Sequence, residues 1–380
     1  MTLKVGIPRE TAEGERRVAI EPTVVAKFKK LGVEILIEKD AGKSAFFPDD
    51  VFADATVVDT AAELFKQADV ILKVQTPTVA EVEAMNDGSV LIGTLLAHKY
   101  PDVVAKLNEK NITSFAMELV PRISRAQSMD VLSSQAAIGG YKAAIMGADL
   151  SSSFFPMLTT AAGTIRPSKV IIIGVGVAGL QAIATAKRLG AMVEAYDVRP
   201  ETKEQIQSLG AKAIELSISA TGEGGYAREL TDDEKQQQQE ELASYIAAAN
   251  VLITTAAVPG RPAPKIIPES TVEGMKPGAV IIDLAAESGG NCTLTQPGET
   301  IVHNDVIIHA PLNVASQVPV HASEMYAKNL FNFLSPMIEE GEYKPDFEDE
   351  VISGALLTHE GEVRHQPTLD QLQEQQKGES

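Results

Sequence analysis

Residues 174–179 read Gly174-Val175-Gly176-Val177-Ala178-Gly179, three glycines at the spacing of a phosphate-cradling turn. A glycine triplet alone says little, because glycines are common in turns of every kind. Here it follows KVIII, a buried-strand pattern, and opens the helical pattern LQAIATAKRLG; the next strand pattern, MVEAY, ends at Asp197. In that setting each glycine has a physical task. Gly174 permits a tight turn, Gly176 lets the backbone approach a pyrophosphate, and Gly179 lets the helix lie close to the strand. The helix N-terminus offers free N–H groups and positive dipole character to the phosphates. Asp197 follows the turn at the spacing expected of a carboxylate that accepts from ribose hydroxyls. A carboxylate there repels a 2′-phosphate, so the unit is expected to take NAD(H) over NADP(H). Arg199, close by, softens that preference.

A second polar concentration is PRISRAQSMDVLSSQ (121–135), which gathers Arg122, Ser124, Arg125, Gln127, Ser128, Asp130, Ser133 and Ser134. Its simplest reading is structural: Ser128 or Asp130 caps the helix that follows, and the arginines are solvated. Yet Asp130 and Ser133 share a helical face by their i,i+3 spacing. With Arg122, Arg125 and Gln127 they supply donors and acceptors able to hold a carboxamide and a ribose. The run falls at the expected junction of two domains, where ligand clefts form. A third segment, SISATGEGGYARELTDDEKQQQQE (217–240), breaks the rhythm of the chain and is read as a long loop. It is either a solvated excursion or a lid with Tyr226 as its lone aromatic. No metal-ligand spacing is read, and no metal is expected.

The elements that must position these residues come in two series. Strand patterns LKVGIP (3–8), VEILIE (33–38), VILKV (70–74), VLIGTL (90–95) and TSFAME (113–118) alternate with helical ones such as PTVVAKFKKLG. The second series is KVIIIG (169–174), MVEAYD (192–197), KAIEL (212–216), VLITTA (251–256), AVIIDL (279–284) and VIIHA (306–310). This alternation predicts an α/β fold of two Rossmann-like, doubly wound parallel-sheet domains joined by long helices. The expected division is 1–128 with 325–380 for the first domain, 129–150 for a linking helix weakened at Gly139-Gly140, and 151–324 for the dinucleotide-binding domain. HASEMYAKNLFNFLSPMIEEG (321–341) is expected to return the chain as a helix until Pro336. EVISGALLTHEGEVRH (350–365) reads as a hairpin turning at His359–Gly361, and QPTLDQLQEQQKGES as a frayed tail.

Composition narrows the partners. A formal net charge of −19 argues against nucleic acid, which requires a basic surface; it serves solubility, with docking to a basic partner as the specific alternative. One cysteine, Cys292, excludes an intrachain disulfide and fits a reducing compartment. MTLKVGIPRE lacks the features of a signal peptide, and no apolar run is long enough to span a bilayer.

Read together, PRISRAQSMD, GVGVAGLQAIATAKRLGA, TTAAVPGRPAP (254–264) and IIDLAAESGGNC (281–292) resemble one family. They are similar to the NAD(H)-binding alpha component, domain I, of proton-translocating NAD(P) transhydrogenases. The similarity runs from IPRETAEGERRVAI to the C-terminal hairpin. The resemblance implies a homodimer that passes hydride directly between NADH and NADP+. The NADP(H) would sit on a separate partner component, domain III, attached to the proton-conducting membrane domain II. It also implies a cytoplasmic chain held at the inner or plasma membrane through those partners. By the same resemblance Arg122, Gln127, Asp130 and Ser133 hold the nicotinamide end and form the catalytic set. Gly174, Val175, Gly176, Val177, Gly179 and Asp197, with Val198 and Arg199, hold the pyrophosphate and adenosine ribose. Gly225 and Tyr226 belong to a mobile loop that closes over the cofactor, and Ala257 lines the adenine side. Hydride transfer between two nicotinamides needs close approach and orientation, so these side chains position a ring and transfer no proton.

A sister family, alanine dehydrogenase, is the alternative. Its substrate-handling positions fall near Arg17 and Lys73, and both residue types are present. Its catalytic histidine position corresponds to Leu96, with His98 two residues on, and the acid near GGN is Glu287. Without that histidine the deprotonation that amino-acid oxidation requires is disabled, and Arg17 and Lys73 read as inherited scaffold. A cofactor sensor without turnover is the third class.

Overall fold

The computed structural model describes residues 2–218, 231–257 and 260–378. Six strands come first: β1 (Lys4–Ile7), β2 (Glu34–Glu38), β3 (Thr56–Val58), β4 (Val70–Leu72), β5 (Val90–Gly93) and β6 (Thr113–Ala116). After the helix Val131–Leu150 comes a small hairpin, β7 (Leu158–Thr160) and β8 (Gly163–Ile165). Then follow β9 (Lys169–Ile173), β10 (Met192–Tyr196), β11 (Lys212–Ala213), β12 (Val251–Thr254), β13 (Val280–Asp283), β14 (Thr300–His303) and β15 (Val306–His309). The helix Pro319–Leu334 leads to β16 (Ile338–Glu339), β17 (Glu342–Tyr343), β18 (Leu356–His359) and β19 (Glu362–Val363). Two compact units result: Met1–Gln135 with Ser316–Ser380, and Ala136–Ala315. Among the described residues no helix is long and apolar enough to cross a membrane.

The first unit's sheet runs β19-β18-β6-β5-β4-β1-β2-β3. Its six earlier strands pair in parallel, in the 3-2-1-4-5-6 order of a doubly wound fold; β18 and β19 add antiparallel. Both faces are covered, which is why these strands read as continuous apolar runs. Along β2, Ile35 and Ile37 enter one core cluster while Leu36 enters the other. Tyr326, Leu330 and Phe333 of the returning helix complete the first of these.

The second unit repeats the plan. Its sheet runs β11-β10-β9-β12-β13-β15-β14, parallel except for β14 on β15. Val170 and Ile172 of β9 face one cluster, and Ile171 and Ile173 face the other. An α/β fold with two such sheets is what the two strand series predict.

Five local features depart from the sequence reading. Strand β3 has no counterpart in the sequence pattern, because it is a three-residue edge strand with Thr56 and Val57 exposed and no apolar run to betray it. The helix Val131–Leu150 passes unbroken through Gly139-Gly140. The charged half of 217–240 is helix from Asp232 to Ala247, started by a capping box in which Thr231 and Glu234 bond each other's backbone N–H; residues 219–230 lie outside the described residues. Near the C-terminus the hairpin turns where expected, at Glu360 and Gly361, both with left-handed φ, but Glu350–Ala355 ahead of it is a helix capped by Asp349. The tail is likewise helical, Gln366–Gly378, with Leu372 against the first unit's core.

Candidate functional site

In the second unit β9 ends at Ile173, and Gly174 follows at φ +88°. A Cβ on Gly174 would lie 2.8 Å from Thr255 Oγ1 and 2.9 Å from Ala256 N, so β12's continuation closes on the turn. Thr255 donates its hydroxyl to the Gly174 carbonyl at 2.8 Å. Gly176 is the N-cap of the helix Val177–Arg188, and a Cβ there would meet nothing within 4 Å. A Cβ on Gly179 would sit 2.0 Å from the Gly174 carbonyl oxygen, closer than any side chain tolerates. One glycine bends, one leaves space before free N–H groups, and one permits contact. A fourth belongs with them: a Cβ on Gly140 would come within 2.0 Å of the Ala178 carbonyl oxygen. The signal is present in the sequence, since paired glycines in an otherwise regular helix mark close approach as readily as weakness.

Asp197 stands at the end of β10 with a side chain only 7% exposed. It accepts from Val175 N at 2.7 Å, which ties it to the glycine turn. It also accepts from Arg199 through N at 2.9 Å, Nε at 3.0 Å and Nη2 at 3.0 Å. Burial pushes this carboxyl up, but the Arg199 fork and the two backbone N–H donors outweigh it and hold it below the usual range. Val177 and Val198 are exposed beside this acid and the turn, whereas Val175 is buried.

The loop carrying Ala257 is braced from below. Asn291, fully buried, accepts from Ala256 N at 3.0 Å and donates to the Ala256 and Pro264 carbonyls at 2.7 and 2.9 Å. Asp283 beneath it accepts from Thr254 and Thr295 hydroxyls and from the N–H groups of Ala285, Asn291 and Cys292. Ala257 itself is exposed. The segment IIDLAAESGGNC (281–292) contains both anchors, but their bracing role is not legible in it, because Ala256 lies 35 residues from Asn291. Gly225 and Tyr226 fall outside the described residues.

The first unit holds the polar run. Ser124–Met129 is a 3₁₀ helix, and Asp130 then caps the helix Val131–Leu150. Its two oxygens accept from Ser133 N at 2.8 Å and Ser133 Oγ at 2.6 Å, so the expected pair does meet. Asn329 and Asn332 donate to the Ser128 carbonyl and fix the run to the returning helix. Arg125 pairs with Asp349 at 2.8 Å. Arg122 and Gln127 are exposed, and Arg122 has no ion-pair partner among the described residues.

With that geometry established, comparison with known proteins gives a consistent result. Residues 6–139 match the N-terminal domain and residues 143–366 the C-terminal domain of the family described as alanine dehydrogenase/PNT. The chain belongs to the alanine dehydrogenase/PNT family. It is 48% identical over 376 residues to the first portion of the NAD(P) transhydrogenase subunit alpha of Rhodospirillum rubrum, covering 96% of this chain and 98% of that one. It is similar to the crystal structure of transhydrogenase from Sinorhizobium meliloti, with a TM-score of 0.87, 42% identity, and 95% and 99% of the two chains covered. The alanine dehydrogenase of Mycolicibacterium smegmatis is 29% identical over 369 residues, 94% of each chain.

Two cations of the first unit are buried and paired with carboxylates. Arg17 is buried, with its Nη2 2.6 Å from Glu15 Oε2 and Nη1 2.9 Å from Gln135. Lys73, 1% exposed, lies 3.3 Å from Glu10 and 2.9 Å from Glu81. Burial pulls the lysine's pKa down, but Glu10 and Glu81 more than reverse that and keep it charged. Burial pushes Glu15 up, and the Arg17 fork overrides it, bringing the carboxyl down to about 2. Leu96 has φ +42° and donates its N–H to Glu118. Glu287 accepts from Asn313 N. Both cations already hold carboxylates supplied by the chain itself.

Proposed function

We propose that this chain is the NAD(H)-binding component of a proton-translocating NAD(P) transhydrogenase. NADH bound at Gly174, Val175, Gly176, Val177, Gly179, Asp197, Val198 and Arg199 gives its hydride to NADP+ held by a separate component. Arg122, Gln127, Asp130 and Ser133 hold and orient the nicotinamide, Ala257 lines the adenine side, and Gly225 and Tyr226 close over the cofactor. The pairing of Arg17 and Lys73 with carboxylates of the chain is in keeping with the reading. In an amino-acid dehydrogenase such cations would face a substrate carboxylate, whereas here Glu15, Glu10 and Glu81 take them. The observation that carries the reading, with NAD(H) itself as the reacting molecule, is the 48% identity over 96% of this chain to a transhydrogenase alpha subunit.

Homodimerisation is part of the same proposal. The C-terminal hairpin β18–β19 is paired into its own sheet. The hairpin β7–β8 is a better candidate: both its strands are exposed, and Phe154, Met157, Leu158 and Ile165 present apolar surface around it. The protein would work in the cytoplasm against a membrane component.

The deciding experiment mixes the purified chain with an NADP(H)-binding partner component and follows reduction of an NADP+ analogue by NADH. The chain alone should be inactive and the mixture active. Gln127→Ala should cut turnover far more than NADH affinity, because orientation matters most in the transition state. NAD reduction by alanine without a partner would overturn the reading in favour of an alanine dehydrogenase. Tight NADH binding without turnover in either assay would indicate a sensor.

A further inference from the structure

At the β14 edge of the second unit three metal-ligating side chains converge from two elements. Glu269 and Glu273 lie one turn apart on the helix Glu269–Glu273, and His303 closes β14. One ligand atom from each lies within 4.8 Å of the others. His303 Nε2 is 3.4 Å from Glu269 Oε1 and 3.9 Å from Glu273 Oε1. Ligands about 2.0–2.2 Å from a tetrahedral zinc ion stand about 3.4 Å apart, so carboxylate rotation alone would complete the set.

Two further observations make this more than a patch of acids. First, the backbones are locked together. Asn304 and Asp305, both with left-handed φ, form the tight β14–β15 turn. Asn304 Nδ2 donates to the Glu273 carbonyl at 3.0 Å, and Gly278 N donates to the Asp305 carbonyl at 2.8 Å. The backbones that carry the ligands are therefore held together, while the glutamate side chains, each 56% exposed, can rotate toward an ion. Second, the carboxylates lack a permanent cation. Like charges at i,i+4 repel, yet among the described residues neither glutamate pairs with a lysine or arginine. Lys276, three residues beyond Glu273, turns away to the Ala248 carbonyl at 2.6 Å.

We propose that Glu269, Glu273 and His303 bind a divalent transition-metal ion, which cross-links the helix Glu269–Glu273 to the β14–β15 turn. The mixed imidazole and carboxylate set suits Zn²⁺ and its neighbours in the first transition row, whereas Mg²⁺ prefers oxygen alone. Three protein ligands leave a position for water. No spacing in the sequence announces this site, because β13 and the whole of β14 separate His303 from Glu273.

The test is calorimetric titration of the untagged full chain with Zn²⁺ and, separately, Mg²⁺. Wild type should bind one Zn²⁺ at this site far more tightly than Mg²⁺ and gain thermal stability with it. Both His303→Ala and the double variant Glu269→Gln/Glu273→Gln should weaken Zn²⁺ binding by about tenfold or more and lose the thermal response. The double variant should also be no less stable than wild type without metal, since it relieves the repulsion. Absence of saturable Zn²⁺ binding, or affinity retained in both variants, overturns the proposal.

Discussion

The two units share one strand order yet use the turn after their first strand in opposite ways. In the second, β9 passes through three glycines directly into a helix, and the space before Gly176 is open. In the first, β1 is followed by Pro8–Glu21 before its helix begins at Pro22. That connection carries Glu10, Glu15 and Arg17 into the interior, where they meet Lys73 and Gln75. The helix N-terminus at Gly176 faces open space in one unit, while side-chain ions satisfy one another in the other. The topology permits either, and the loop residues decide.

The contrast can be tested from both sides. Lys73→Ala should have the largest effect. It leaves Glu10 and Glu81 without their buried cation, a loss of roughly 3–5 kcal/mol of stability, read by denaturant unfolding. NADH affinity should change far less where the fold survives; equal loss of both would mean that the units are not independent in this respect. Gly179→Val comes next. Its side chain would collide with the Gly174 carbonyl, and NADH affinity measured by fluorescence titration should fall at least about 100-fold, about 2.7 kcal/mol.

The smallest effect concerns pH. Glu15 falls from an ordinary 4.5 to about 2 in the folded chain, so its stabilisation is complete above 4.5 and fades as pH drops toward 2. Glu15→Gln should therefore flatten that acid limb by up to one proton's worth, about 1.4 kcal/mol per pH unit. Glu10 and Glu118, which burial pushes the other way, gain stability as pH falls and oppose the limb. An unchanged limb in the variant would show that Arg17 does not hold Glu15 as described.

What is legible in the sequence follows from distance along the chain. The glycine turn, its helix and Asp197 occupy one short βαβ unit, and the physical role of each glycine can be stated from the sequence alone. Asp130 and Ser133 are equally legible, being three positions apart. The partners of Lys73 are not: Glu10 follows β1 whereas Lys73 follows β4, and only the pairing of those two strands brings them close. The contacts that Asn291 makes with the Ala256 loop are hidden for the same reason. Edge strand β3 and the C-terminal helix are obscure for another, since their weak apolar patterns acquire meaning only from neighbours that cover them.

The discontinuity of the first unit bears on how the protein is made. Strand β6 ends at Ala116, but its antiparallel neighbour begins only at Leu356, with the whole of the second unit translated in between. During synthesis the first sheet emerges with the four-residue strand β6 unpaired on one side and a core that lacks Tyr326, Leu330 and Phe333. The second unit is continuous from Ala136 to Ala315 and has all its strands on leaving the ribosome. The half that is translated later is thus the first with a complete sheet, while the earlier half has β6 without its antiparallel neighbour until Leu356 emerges. Slowing translation after Ser316 should therefore lower the yield of native chain more than slowing it before Ala136.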